Sequence, residues 1–468
     1  MTLGTIAAAM SGRVGEASAG REVQGFSIDT RTLRPGDVFF AIRGDRFDGH
    51  AFVAEAIRAG AAGAVVAAGP VPLVTHDAHT PPESVAPLVV VEDTLAALQQ
   101  LATHVRRTSG SAVVAVTGSA GKSTTKEISA EFLSVRYRVF RNRGNLNNHI
   151  GLPLSLLELR HKPDIAVVEL GMNHAGEISA LVKIAEPEVR VWTNVGPAHL
   201  EFFGSVDAIA DAKAEIMERA GRDDLLVANA DDERVMQRAG NFPGRVRTFG
   251  IDRPADVRAL AVKDLGVDGT AAVIRTPNGD AEIRTSLAGT ANLANVLAAT
   301  AVALRFDVPL SDIVQRAATL KPIPRRGEVT RHGDVTIVDD SYNSNPAALS
   351  RAFAMMKGET RFRRRIAVIG EMLELGATSE ALHRQAGKEA AEAGLAILIA
   401  VGGSPARAMA EGAMTAGMSA DNVHYAPVSA EAADLTAGLV RSGDLVLVKG
   451  SRGVRTEIVV DRLKVEFT

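Results

Sequence analysis

The chain has 468 residues, 46% apolar and 23% charged, with a formal net charge of −3 and no cysteine. The length exceeds one hydrophobic core and points to two to four domains, three being the number adopted, while the composition excludes a disordered chain. The near-neutral charge excludes a basic field for nucleic acid, and the lack of cysteine excludes disulfides, thiolate catalysis and Cys-ligated zinc or iron–sulfur clusters.

The N-terminal MTLGTIAAAM lacks the basic segment and longer apolar stretch of a signal peptide. No later run reaches the roughly 18 apolar residues of a membrane span. A cytoplasmic protein without a membrane span is expected.

In chain order, GFSIDT and VFFAI read as strands, AFVAEAIRAGA as a helix and AGAVVAA as a strand, giving a small α/β unit. It closes in the proline-rich stretch from 69 to 87, a linker by composition. A second α/β run is expected from LVVVED onward, with strands at 112–116, 165–169, 189–193 and 224–229. These continuous apolar runs suit a parallel sheet covered on both faces. Between about 245 and 287, VRTFG, AVIRT and AEIRT read as short strands of an antiparallel insertion. After the helix ANLANVLAATAVAL and the hinge TLKPIPRRGE, strands VTIVDD, RIAVIG, LAILIAVG and DLVLVKG alternate with helices in a Rossmann-like rhythm. The fold class is therefore α/β, with domains at 1–87, 88–318 and 319–468.

The strongest local signal is AVVAVTGSAGKSTTKEI, a buried strand leading into a glycine loop and a helix. Gly118 and Gly121 let backbone N–H groups converge on phosphate oxygens, and the helix amino end adds partial positive charge. Lys122 is placed to reach terminal phosphates and Ser123 to ligate Mg²⁺. The motif departs from the strict phosphate-loop form, since Val116 stands five residues before Gly121. A phosphate loop identifies a nucleotide and leaves kinase, GTPase and ligase chemistry open.

Glu169 ends the apolar strand IAVVE, where a metal-binding acid is expected at the carboxyl edge of a parallel sheet. His199, in TNVGPAHLEFFGS, follows another such strand and is either structural or a metal-associated imidazole. Lys213 has nothing in its spacing to distinguish it from a solvated helix lysine.

Taken together, TGSAGKSTTKE, GNLNNHIGLP, ELGMNHAGEI, TNVGPAHLEFFGS, GTANLANVLAA and DDSYNSNP, in that order, resemble the Mur ligase family over nearly the whole chain. The boxes Asn145, Asn147, Asn148, Gly151, Pro153 and Asp340, Ser341, Tyr342, Asn343, Asn345, Pro346 are similar to the branch that adds D-alanyl-D-alanine. The D-N-P-R box of the diaminopimelate-adding branch, the alternative reading, is absent.

The resemblance implies an ATP-dependent ligase joining D-alanyl-D-alanine to UDP-N-acetylmuramoyl tripeptide through an acyl phosphate, in peptidoglycan synthesis. The expected domains are an N-terminal UDP-binding domain, a central ATP-binding domain and a C-terminal Rossmann-like domain. It implies that Gly118, Ser119, Ala120, Gly121, Lys122, Ser123 and Thr124 hold ATP phosphates, with Asn292 and Asn295 on the adenine side. Arg326 and Asp340 are expected at the γ-phosphate and ribose. Ser123, Glu169, His199 and Lys213, the last as a CO₂-derived carbamate, would surround Mg²⁺; Lys122, Glu169, His199 and Lys213 form the expected catalytic set. Substrate contacts are expected from Ser27, Thr30, Arg31, Asp48, His50, Asn145, Asn147, Asn148, Tyr342, Asn343, Asn345 and Ser451. A monomer is expected. Ala291, Arg325 and Glu371 depart from the family's usual histidine, glycine and aspartate.

Overall fold

The computed structural model describes residues 1–44, 47–69, 87–144 and 146–468. The expected linker, apart from its end residues 69 and 87, and the candidate Asn145 lie outside the described residues. The chain forms two compact units. One comprises Met1–Ala115, Tyr137–Met172 and Glu177–Pro187, the other Val116–Arg136, Asn173–Gly176 and Glu188–Thr468.

The first unit opens with a five-stranded sheet of β1 (Arg13–Val14), β2 (Gly25–Ser27), β3 (Asp37–Phe40), β4 (Gly63–Ala67) and β5 (Leu88–Val91), in the order β1-β5-β4-β3-β2. Only β1 runs antiparallel to its neighbour. Phe39, Ala41, Val53, Ala56, Ala64 and Val66 close its core. Leu88–Val91, which the sequence places at the start of the second run, pairs here with β4 and β1. An apolar tetrapeptide carries no mark of which sheet it will join.

Helix Thr94–Ser109 follows, capped by Asp93, whose carboxylate accepts the Ala96 N–H at 2.6 Å. It buries Ala97, Leu98, Leu101, Ala102 and Val105 at helical spacing. Strand β6 (Ala112–Thr117) begins in the first unit and ends in the second. The parallel pair β7 (Val139–Arg141) and β8 (Ile165–Glu169) belongs to the first.

The second unit continues with β9 (Val189–Trp192), β10 (Leu225–Asn229), β11 (Arg245–Gly250), β12 (Val257–Asp264), β13 (Thr270–Thr276) and β14 (Gly279–Thr285), adjacent in that order. β9 to β12 are mutually parallel. Only β12–β13 and β13–β14 are antiparallel. The expected insertion is thus corrected at its start: VRTFG extends the parallel sheet, because helix Glu233–Ala239 between β10 and β11 makes a βαβ crossover.

The last sheet holds β15 (Glu328–His332), β16 (Val335–Asp340), β17 (Arg365–Gly370), β18 (Ile397–Val401), β19 (Val423–Ala426) and β20 (Leu445–Lys449), in the order β15-β16-β20-β17-β18-β19. All neighbours are parallel except β15. Separate apolar clusters pack around it, one including Ala367, Ile369, Leu398 and Leu447, the other Ile366, Val368, Ile399 and Val446. Successive residues of each strand enter different clusters, which is why these strands read as unbroken apolar runs.

The turn Gly266–Asp268 between β12 and β13 docks on this last layer. Val267 enters the cluster containing Val338, Phe353 and Met356, and its N–H donates to the buried Glu359 carboxylate at 3.0 Å. Asp268 pairs with Arg331 at 2.6 Å and Arg361 at 2.5 Å. No described helix is long and apolar enough to cross a membrane.

Candidate active site

β6 ends at the fully buried Thr117, and the chain turns through Gly118 (φ +150°) and Gly121 (φ +81°) into helix Lys122–Leu133. No side chain caps that helix, so its amino end keeps its partial positive charge for an anion. The segment after β9 holds the loop in shape. Asn194 O accepts the Ser119 N–H at 3.0 Å and Asn194 Oδ1 accepts that of Ala120 at 2.9 Å. Thr193 Oγ1 and Asn194 Nδ2 both donate to Ala120 O, at 2.7 and 3.0 Å. Lys122 Nζ donates to Gly118 O at 2.8 Å, folding the ammonium back over the loop.

Asn295 meets the loop from below. Its Oδ1 accepts the Thr125 hydroxyl at 3.1 Å, and a β-carbon on Gly121 would lie 2.4 Å from it. Asn292 donates to Ala288 O at 2.9 Å and lies 3.4 Å from Asn295 Nδ2. The structure thus places Asn295 under the phosphate loop as a brace.

In the first unit, Glu169 is buried at the end of β8. Its Oε1 accepts from Asn147 Nδ2 at 2.7 Å, and its N–H donates to Asn142 Oδ1 at 3.1 Å. Asn148, expected on substrate, accepts the N–H groups of Ile150 and Gly151 at 3.2 and 2.8 Å, so it shapes the entry to helix Gly151–Leu156.

In the second unit, His199 takes a left-handed conformation, φ +61°, at the start of the short helix Leu200–Phe203. Its Nδ1 lies 2.6 Å from Glu374 Oε2, and the hydrogen bond holds the Glu374 carboxyl below its ordinary range. Nε2 is then the nitrogen His199 has to offer a metal. Lys213 lies in helix Val206–Ala214 and is 1% exposed. Among the described residues no three His, Cys, Asp or Glu side chains cluster as a metal site.

The C-terminal candidates gather near the ends of β16, β17 and β20. Lys449 Nζ donates to Asp340 at 2.7 Å and to Asn343 O at 3.0 Å. Tyr342 N–H donates to Arg325 O at 3.0 Å, and the Arg326 guanidinium lies 3.9 Å from the Tyr342 ring centroid. Ser451 accepts the Leu373 N–H at 3.0 Å. Asn343 accepts the Ser344 N–H, and Asn345 caps helix Pro346–Gly358 through the Ala348 N–H, each at 2.9 Å.

Around the first sheet, the Ser27 hydroxyl donates to Asp29 O at 2.9 Å, and Thr30 stands beside it. Arg31 pairs with Asp29 at 2.6 Å, and its hydrogen bonds pull the Asp29 carboxyl down to about 2. Asp48 caps the turn at His50, whose Nδ1 lies 2.6 Å from it while Nε2 accepts the Ala67 N–H at 2.9 Å. Both His50 nitrogens are therefore committed within the protein. His50 and Asp48 thereby hold this loop, whose stretch 45–46 lies outside the described residues.

Asn194, Lys449, Glu374 and His383 are site residues that no motif in the sequence singles out. The first two sit at the carboxyl ends of apolar strands, a signal available in the sequence. Glu374 and His383 act through folding alone: His383 is fully buried and its Nε2 accepts the Met372 N–H at 2.9 Å.

Three family models match the chain: "Mur ligase family, catalytic domain" at residues 22–106, "Mur ligase middle domain" at 116–303 and "Mur ligase, glutamate ligase domain" at 325–452. The UDP-N-acetylmuramoyl-tripeptide–D-alanyl-D-alanine ligase of Bacillus subtilis is 33% identical, covering 94% of this chain and 93% of its own. The Escherichia coli enzyme of the same name is 34% identical over 95% and 96%. A crystal structure of MurF from Acinetobacter baumannii superposes with a TM-score of 0.88 at 31% identity, covering 99% and 98%. MurF ligase from Thermotoga maritima in complex with ADP gives 0.82 at 29% identity over 97% and 99%.

Proposed function

The chain belongs to the Mur ligase family, and from that membership we infer that it is the ATP-dependent ligase joining D-alanyl-D-alanine to UDP-N-acetylmuramoyl tripeptide in peptidoglycan synthesis. The observation that carries this is likeness above 30% identity, over nearly all of both chains, to ligases of that one specificity. The asparagine boxes at 147–148 and 343–345 agree with it.

A peptide carboxylate is a poor electrophile, so the γ-phosphoryl of ATP is transferred to it, giving an acyl phosphate. The amine of D-alanyl-D-alanine attacks the acyl carbon, the amide forms and phosphate leaves with ADP as the second product. Residues 118–124 are assigned to the ATP phosphates: the glycines admit the backbone, the helix amino end faces the anion, and Lys122 unfolds from Gly118 O to meet it. Arg326 is assigned to the transferring phosphoryl group and Asp340 to the ribose. Asn292 and Asn295 keep their assignment to the adenine side, Asn295 also bracing the loop through the Thr125 hydroxyl.

The donor chemistry suits Mg²⁺. Ser123 brings a hydroxyl and Glu169 a carboxylate, each the hard oxygen that Mg²⁺ takes, and Mg²⁺ needs few protein ligands because phosphate oxygens and water complete its shell. When bound, it would offset charge on the phosphoryl oxygens. Lys213, buried in its helix, is assigned as a carbamate formed with CO₂, which exchanges a cation for anionic oxygen. His199, oriented by Glu374, is assigned beside the metal. Ser27, Thr30 and Arg31 are assigned to the uridine nucleotide, and ATP as co-substrate supports a cytoplasmic location.

The test is phosphate release from ATP with UDP-muramoyl tripeptide plus D-alanyl-D-alanine, set beside UDP-muramoyl dipeptide plus diaminopimelate or lysine. Release with the first pair only is expected. Release with the second pair only would reassign the enzyme to the branch that adds the third residue.

A further inference from the structure

Two guanidinium groups share the ring of Tyr342. Arg326 lies 3.9 Å and Arg452 5.7 Å from its centroid. Among the described residues neither forms an ion pair with a carboxylate, although neighbouring cations do: Arg325 with Glu457 at 3.6 Å and Lys449 with Asp340 at 2.7 Å. A ring face attracts a cation only weakly, and two like charges beside one ring repel. The arrangement has cationic fork to spare and lacks its anion.

Arg452 stands on a fixed backbone. The preceding Ser451 donates its N–H to Glu371 O at 3.1 Å, and its hydroxyl accepts the Leu373 N–H at 3.0 Å. The short turn Arg452–Val454 follows β20 after Gly450 and Ser451, beyond the carboxyl ends of β20 and β17, where open parallel sheets collect ligands.

Of the anions in the reaction, the ATP phosphates have the glycine loop and Lys122. The carboxylate of the incoming dipeptide is without an assigned cation. A guanidinium fork matches a carboxylate with two parallel hydrogen bonds. We propose that Arg452 binds the terminal carboxylate of D-alanyl-D-alanine, while Arg326, on the same tyrosine, serves the phosphoryl group. Tyr342 thereby sets the spacing between the two anions. This rests on the reaction assigned above.

The test compares D-alanyl-D-alanine with D-alanyl-D-alaninamide, which keeps the amine and loses the carboxylate, in wild type, Arg452→Gln and Arg452→Lys. Wild type should prefer the carboxylate. Arg452→Gln should raise the KM for D-alanyl-D-alanine by about 10- to 100-fold and abolish the preference over the amide, with the KM for ATP held within about twofold. Arg452→Lys should keep part of the preference through charge alone. A selectivity ratio separates recognition from a merely structural role, which would lower turnover of both substrates equally. Retention of the wild-type preference by Arg452→Gln, or a change confined to the KM for ATP, overturns the proposal. Wild type unable to use the dipeptide at all would instead overturn the reaction assignment and this proposal with it.

Discussion

A β-carbon on Gly118 would lie 1.9 Å from the hydroxyl of Thr193, the same hydroxyl that donates to Ala120 O. The phosphate loop is therefore pressed against the segment that shapes it, and at φ +150° only glycine is at ease. Gly118→Ala should cost about 1–3 kcal/mol of local strain and weaken ADP binding by about tenfold or more. Calorimetric titration with ADP checks this, and wild-type affinity would show that the loop is looser than described.

Lys122→Ala and Glu169→Ala should each lower ligation turnover by roughly 10²–10³-fold, the usual cost of removing one electrostatic partner of a transition state. Neither should unfold the protein. Phosphate release and circular dichroism on the same samples decide it, and normal turnover by either variant contradicts the assigned roles.

His383 gives a pH dependence. Burial pushes its imidazole below the ordinary 6.5, and the Met372 N–H needs Nε2 unprotonated. The unfolded chain binds the proton more readily, so this contribution is complete above pH 6.5 and declines as pH falls through 6.5 toward the lower folded value. The denaturation midpoint should fall between about pH 7.5 and 5.5, and His383→Gln should flatten that slope. An unchanged slope in the variant would assign the effect to other groups.

Glu359→Ala should destabilise the second unit by about 1–3 kcal/mol, because the Val267 N–H would lose its buried acceptor. Val267→Ala removes apolar contact from the same turn and should cost about 1 kcal/mol or more. Denaturant midpoints measure both. A change near zero for each would mean that the Gly266–Asp268 turn contributes nothing to holding the last sheet.

The sheets were legible because their strands announce themselves. The stretches IAVV, LAILIAV and LVLV within them are apolar at every position, as a strand covered on both faces requires. Leu88–Val91 has the same character, yet its sheet was not predictable, since pairing is decided by residues remote in sequence. VRTFG looked like part of a hairpin because its turn neighbours are polar, and the helix before it reversed that reading.

The sequence by itself determined the phosphate loop, because glycine, lysine and serine at that spacing act through backbone and local charge, and it determined the family through motifs kept in order. Tertiary structure decided which polar residues are available. Both His50 nitrogens, the Asn148 and Asn345 carbonyls and the Asn295 carbonyl are taken by partners inside the protein, whereas Arg326 and Arg452 converge on one ring without a carboxylate among the described residues. Hydrogen-bond satisfaction is settled in three dimensions, so a polar side chain's residue type indicates what it can bind and only its folded partners indicate whether it is already bound.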